Sequence, residues 1–175
     1  CIGIVGKSGC GKTTLLDLIM GLLTPSGGSI LIDNKILNNN NILAWQKHIS
    51  HVPQDVFLID GSFEENIALG VSKEHFDIEK IKNCLDRVQL TNLIDSLPQK
   101  AQTNVGEKGA LLSGGQRQRV AIARSLYRDT DVFIFDEATS ALDEKTEKEV
   151  ISILKNISRE NLVIMVTHRL SILES

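Results

Sequence analysis

The sequence predicts an α/β fold with a mostly parallel sheet, on three observations. Short apolar runs recur along the chain at Cys1–Gly6 (CIGIVG), Asp131–Phe135 (DVFIF) and Leu162–Val166 (LVIMV). Each is a strand-length segment rich in β-branched or aromatic residues. Between them lie longer segments with apolar residues at helical spacing, such as Leu15, Leu16, Ile19 and Leu22, or Val150, Leu154 and Ile157. Strands that alternate with helices generate parallel pairing.

Taken in order, Cys1–Gly6 is expected to be a strand buried on both faces, because every residue before its terminal glycine is apolar or small. A glycine-rich loop follows at Gly6–Thr13, and a helix is expected over Thr13–Leu23, stopped by Pro25 and Gly27–Gly28. Ser29–Leu37 reads as a hairpin turning at Asp33–Asn34. Asn38–Asn41 is a polar surface loop, and His48–Val52 a second strand. From Asn66 to about Leu97 the chain reads as mostly helical, with an apolar face of Leu85, Val88, Leu93 and Leu97 and breaks near Val71 and Thr91. Helices are expected at Gly114–Tyr127 and Asp143–Ile157, flanking the Asp131–Phe135 strand.

The 175 residues suit one domain with a sizeable core. At 42% apolar and 23% charged, the composition is that of a globular protein, and no apolar run reaches the length that crosses a bilayer. A net charge of −3 provides no basic footprint, and no nucleic-acid partner is expected. Three widely spaced cysteines, Cys1, Cys10 and Cys84, fit neither a disulfide framework nor a zinc site and read as reduced thiols. No secretory signal is apparent. Because Cys1–Val5 already reads as a buried strand and Ser171–Ser175 lies within an apparent helix, the sequence is expected to be an excerpt of a longer protein.

Gly6-Lys7-Ser8-Gly9-Cys10-Gly11-Lys12-Thr13 fits the phosphate-loop pattern G-x-x-x-x-G-K-[ST]. A triphosphate needs backbone N–H groups converging closely on it, which glycines permit. The helix after the loop presents its positive dipole end to the phosphates. Lys12 can reach the β- and γ-phosphates, the Thr13 hydroxyl can ligate Mg²⁺, and Thr14 stands beside it. Cys10 contributes backbone more than side chain on this reading.

Asp136 and Glu137 close the apolar strand, where ligands of parallel sheets gather. Asp136 is placed to hold Mg²⁺, and Glu137 to polarise an attacking water as general base. A solvated strand end would carry the same pair. Leu112-Ser113-Gly114-Gly115-Gln116 opens the helix through Gln118, Val120 and Ala123. It offers a second phosphate-friendly helix start, with a serine hydroxyl and glycine amides facing outward. One ATP does not need two such cradles from one chain, so this one would serve ATP held by a second copy. A capped helix with a glycine entry is the plainer alternative.

With these motifs in this order, the chain resembles the ATP-binding domain of ABC transporters over essentially its whole length. The phosphate loop matches Walker A, Gln54 the Q-loop glutamine, Leu112–Gln116 the family signature, and Asp136–Glu137 Walker B. Ser140-Ala141-Leu142-Asp143 matches the D-loop, and His168 the switch histidine. Thr103–Gly109 (TNVGEKG) is similar to the stretch that precedes the signature in exporters, with Lys108 where arginine is frequent. Phe57-Leu58 and Glu65-Asn66-Ile67 are also exporter-like. The family's adenine-stacking aromatic would lie upstream of Cys1; Trp45, Phe57 and Tyr127 do not occupy that position.

The resemblance implies a P-loop NTPase core with a mostly parallel sheet, a helical signature subdomain, and part of an antiparallel β-subdomain. Residues 1–61 and 113–175 would form the RecA-like core with its hairpin, and 62–112 the helical subdomain. It implies ATP and Mg²⁺ as ligands, with the metal held by Thr13, Gln54 and Asp136. Glu137, His168, Gln54 and Lys12 would carry catalysis. Nucleotide would be gripped by Gly6, Ser8, Gly9, Cys10, Gly11, Lys12, Thr13 and Thr14 of one copy. Ser113, Gly114, Gly115, Gln116 and Asp143 would close on it from a second nucleotide-binding domain, a homodimer being favoured. A membrane-spanning domain on the same polypeptide would place the chain at the cytoplasmic face of the cell membrane, powering export or flipping. The alternatives are an importer's ATPase subunit, or a soluble ABC-type ATPase in translation or DNA repair.

Overall fold

The structure is a computed structural model that describes residues 1–7, 9–139 and 142–167. Strands β1 (Ile2–Val5), β4 (Ile49–Val52), β5 (Val132–Asp136) and β6 (Leu162–Thr167) form one sheet in the order β1-β6-β5-β4, parallel throughout. The short strands β2 (Leu31–Ile32) and β3 (Lys35–Ile36) make a separate antiparallel hairpin. Asp33 and Asn34, both at positive φ, form its two-residue turn.

The two-residue period of the strands sorts their side chains onto two faces. Ile49, Val132, Ile134, Ile164 and Val166 meet Leu16 and Met20 from α1 (Lys12–Ile19) and the region just after it. Val52, Phe133, Phe135, Val163 and Met165 face the opposite way. They share the larger core with α3 (Phe63–Ile67), α4 (Ile78–Arg87), α5 (Thr91–Ser96), α6 (Gly114–Tyr127) and α7 (Glu144–Ile157). The fold is thus an α/β sheet covered on both sides, as the alternating elements predict. No helix among the described residues is long and apolar enough to cross a membrane.

Four expectations are corrected. First, among the described residues β1 pairs only with β6, at the edge of the sheet, and Ile2 and Val5 are 51% and 43% exposed rather than buried on both faces. Second, α1 ends at Ile19, before Pro25, because Gly21 turns left-handed. Trp45 Nε1 donates to the Ile19 carbonyl at 2.7 Å and Gln46 Nε2 to the Met20 carbonyl at 3.2 Å, satisfying acceptors at the helix end. Third, those two residues sit on a short helix the sequence did not betray, α2 (Ile42–Gln46). The polar run before it is a turn built by its own amides: Asn38 Oδ1 accepts from Asn40 N, and Asn41 Oδ1 from Asn38 N. Fourth, the helical middle starts earlier and is more broken than its apolar pattern suggests. Ser62 and Glu65 cap α3 reciprocally, fixing its N-terminus at Phe63. Single 3₁₀ turns at Lys73–His75 and Lys100–Gln102 interrupt the chain between α3 and α6.

One buried polar network ties this middle region to α6. Asn66 is fully buried; its side chain donates to the carbonyls of Ile59 and Ser62 and accepts from the Ile59 amide. Arg124 of α6 donates to the Asn66 carbonyl at 2.7 Å, the Asn66 side-chain oxygen at 3.1 Å and the Phe57 carbonyl at 2.9 Å. The chain just beyond Gln54 is therefore fastened to α6 by satisfied hydrogen bonds rather than by apolar contact alone.

Candidate active site

The loop between β1 and α1 carries the phosphate-loop residues at the carboxyl end of the sheet. Gly9 and Gly11 have φ of 77° and 94°, a conformation in which a side chain would be strained. Gly6 is glycine for a different reason. A Cβ there would lie 2.6 Å from Cys10 Sγ, which folds back over the loop. Lys12 opens α1 and is buried, its ammonium donating to the carbonyls of Gly6 and Lys7 at 3.1 Å each.

β5 delivers the acidic pair to the same place. The Thr13 hydroxyl donates to Asp136 Oδ2 at 3.0 Å, and Lys12 Nζ lies 3.7 Å from Glu137 Oε1. Asp136 is buried at 9% exposure. Glu137 has φ 49°, left-handed backbone that costs a non-glycine residue about 1 kcal/mol or more. Its amide donates to the Val166 carbonyl at 3.1 Å, which holds this turn against β6. Among the described residues, Glu137 is the one positive-φ non-glycine residue whose carboxylate lies beside Lys12.

Among the described residues no group of three or more His, Cys, Asp and Glu side chains gathers to hold a metal. Thr13 and Asp136 do converge as an oxygen pair. That donor set suits Mg²⁺, which keeps waters and takes the rest of its shell from phosphate oxygens. Gln54 stands exposed two residues past β4.

The signature segment opens α6. Ser113 Oγ accepts from Gln116 N at 3.2 Å, and Gln116 Oε1 accepts from Ser113 N at 2.8 Å, a reciprocal capping box. The two glycines are not equivalent: Gly114 is exposed and Gly115 is buried. Asp143 caps α7 by accepting from Thr146 N at 3.0 Å. Of the remaining residues singled out from the sequence, Ser8, Ser140, Ala141 and His168 lie outside the described residues. Arg124, which bonds to Asn66, and Thr146, which bonds to Asp143, did not stand out in the sequence. Both are half-buried, and no local pattern in the sequence signals them.

A glycine loop feeding a helix, a lysine beneath it and an acidic pair closing the adjacent strand define a phosphate-binding ATPase of the parallel-sheet type. Residues 1–140 match the family described as ABC transporter. An ATP-dependent lipid A-core flippase of Ralstonia nicotianae is 38% identical over 175 residues, covering 99% of this chain and 30% of that protein. The ABC multidrug transporter atrD of Emericella nidulans is 43% identical over 174 residues, covering 99% of this chain and 13% of that protein. The solved structure of a bacterial Atm1-family ABC exporter with ATP bound superposes with a TM-score of 0.85 at 36% identity, over 97% of this chain and 29% of that one. The chain belongs to the ABC transporter family. It spans 30% or less of the length of these curated relatives.

Proposed function

We propose that this chain is the ATP-hydrolysing engine of a membrane exporter or flippase, working as a pair of domains that close head to tail on ATP·Mg²⁺. The observation that carries the reading is the convergence of Lys12, Thr13, Asp136 and Glu137 at one end of the sheet. Thr13 and Asp136 would hold Mg²⁺, with Gln54 completing the shell and relaying its state. Lys12 would neutralise the β- and γ-phosphates, and Glu137 would align and deprotonate the attacking water. His168 would fix the γ-phosphate. Gly6, Ser8, Gly9, Cys10, Gly11 and Thr14 would complete the cradle. Ser113, Gly114, Gly115, Gln116 and Asp143 of a second copy would close it. Loss of the γ-phosphate then removes the charge that bridges two electropositive helix starts, and the pair opens.

In this reading residues 1–61 and 113–175 form the core and 62–112 the helical subdomain. A membrane-spanning domain on the same polypeptide holds the engine at the cytoplasmic face of the membrane. The relatives named above are an ATP-dependent lipid A-core flippase and a multidrug transporter, which supports export over import. Magnesium-dependent ATPase activity of the full-length protein in lipid vesicles tests the proposal. Glu137→Gln should bind ATP normally while turnover falls about 100-fold or more. Near-normal turnover in that variant would take Glu137 out of the chemistry.

A further inference from the structure

We propose that Thr146 is a positioning residue for the signature segment, and that Gly115 is glycine because α7 lies against its Cα within the same chain. The inference rests on the ATPase reading above and adds to it the device that sets where one half of the shared site is presented.

The two signature glycines meet different neighbours. A Cβ on Gly114 would have Leu142 Cδ2 at 3.7 Å and Arg117 Nη2 at 3.9 Å, both ordinary contacts. A Cβ on Gly115 would lie 2.1 Å from Thr146 Cγ2, which no packing tolerates. The other Thr146 atoms are not in the way, since Cβ and Oγ1 would sit at 3.5 and 3.7 Å. The obstruction is therefore a single methyl group.

That methyl cannot easily rotate aside. Thr146 donates its hydroxyl to Asp143 Oδ2 at 2.6 Å while its amide donates to Asp143 Oδ1 at 3.0 Å. A β-branched side chain whose hydroxyl is held has its methyl direction fixed too. Asp143 thus orients Thr146, Thr146 seats against Gly115, and the first turn of α6 takes its position from the first turn of α7. The Ser113–Gln116 capping box is rigid within itself, so the seating moves the hydroxyl and amides of the segment as one body.

The test uses the full-length protein in lipid, with ATP affinity, kcat and KM measured for each variant. Gly115→Ala should keep ATP affinity within about two-fold, because the phosphate loop is untouched, while kcat falls about ten-fold or more. Thr146→Ser keeps the hydroxyl and removes the methyl that seats Gly115, and should lower kcat about three-fold or more while ATP affinity stays within about two-fold. Gly115→Ala/Thr146→Ser should recover most of the activity, since the new methyl then meets only ordinary contacts. Thr146→Val keeps an obstructing methyl and loses the hydroxyl, and should not rescue. A double variant as inactive as Gly115→Ala, or a Gly115→Ala enzyme with normal kcat, overturns the proposal. If Gly115→Ala fails to fold, recovery of a folded, active double variant supports the contact, and a double variant that also fails to fold overturns it. Lys12→Ala separates the two readings. Loss of ATPase in Lys12→Ala without rescue in the double variant sinks only this inference. Absence of Lys12-dependent ATPase in the wild type sinks the functional reading itself.

Discussion

The hydroxyl of Thr13 donates to Oδ2 of Asp136 at 3.0 Å, joining the first turn of α1 to the last residue of β5 across 123 positions of sequence. Two oxygens brought together from distant segments are a ready pair of ligands for a hard cation. Asp136→Asn keeps the shape and removes the charge. ATP hydrolysis by the full-length protein should fall about 100-fold, and the Mg²⁺ concentration giving half-maximal activity should rise. A magnesium titration superposable on the wild type would detach Asp136 from the metal.

The Asn66–Arg124 network predicts a stability cost. Asn66→Ala removes a fully buried side chain and leaves the Ile59 amide and carbonyl short of a partner, while the Ser62 carbonyl keeps the backbone amide of residue 66. A loss of about 2–4 kcal/mol in unfolding free energy is expected. Arg124→Lys cannot reproduce a fork that reaches the Phe57 and Asn66 carbonyls together, and should cost about 1–3 kcal/mol. Urea unfolding measures both. A pair of variants within error of the wild type would show that the network is ornamental to stability.

Acid sensitivity arises from Glu65. The Lys73 ammonium at 2.8 Å, with the Ser62 amide and hydroxyl, holds its carboxyl down from 4.5 to about 2. A depressed carboxyl stabilises the fold fully above its unfolded value, and the contribution is lost as pH falls toward the folded value. The stability gap between wild type and Glu65→Gln should therefore be constant above pH 4.5 and close between pH 4.5 and about 2. Thermal unfolding across that range reads it directly, and a gap that widens on acidification would contradict the assignment.

Cys84 lies on the buried face of α4, and burial pushes its thiol up to about 11. Reaction needs the thiolate and access, both of which it lacks. N-ethylmaleimide at neutral pH should modify exposed Cys1 and Cys10 in the folded protein and spare Cys84 until denaturant is added. Mass spectrometry of the labelled chain distinguishes the three.

Much of this architecture was legible in the sequence. The strand at Val132–Asp136 and the helix at Gly114–Tyr127 were readable because period, length and flanking turns agree there. The phosphate loop and the acidic pair were readable because their chemistry demands particular residue types at fixed spacing. The features that escaped were set by tertiary contact. The exposure of Ile2 and Val5 depends on which strand neighbours β1, and α2 is stabilised by Trp45 and Gln46 reaching carbonyls twenty-six residues back. The unequal environments of Gly114 and Gly115 arise from α7, about thirty residues downstream, and no local pattern announces them.

The head-to-tail site is tested most directly by placing Lys12→Ala and Ser113→Ala in separately tagged copies of the full-length Glu137→Gln protein and measuring trapped radiolabelled ATP. If each nucleotide lies between Lys12 of one copy and Ser113 of the other, splitting the two substitutions between copies leaves one whole site, and ATP is trapped there. Putting both in a single copy then spoils both sites, and none is trapped. The reverse pattern, trapping only when both substitutions share a copy, would mean that each site is built within a single chain.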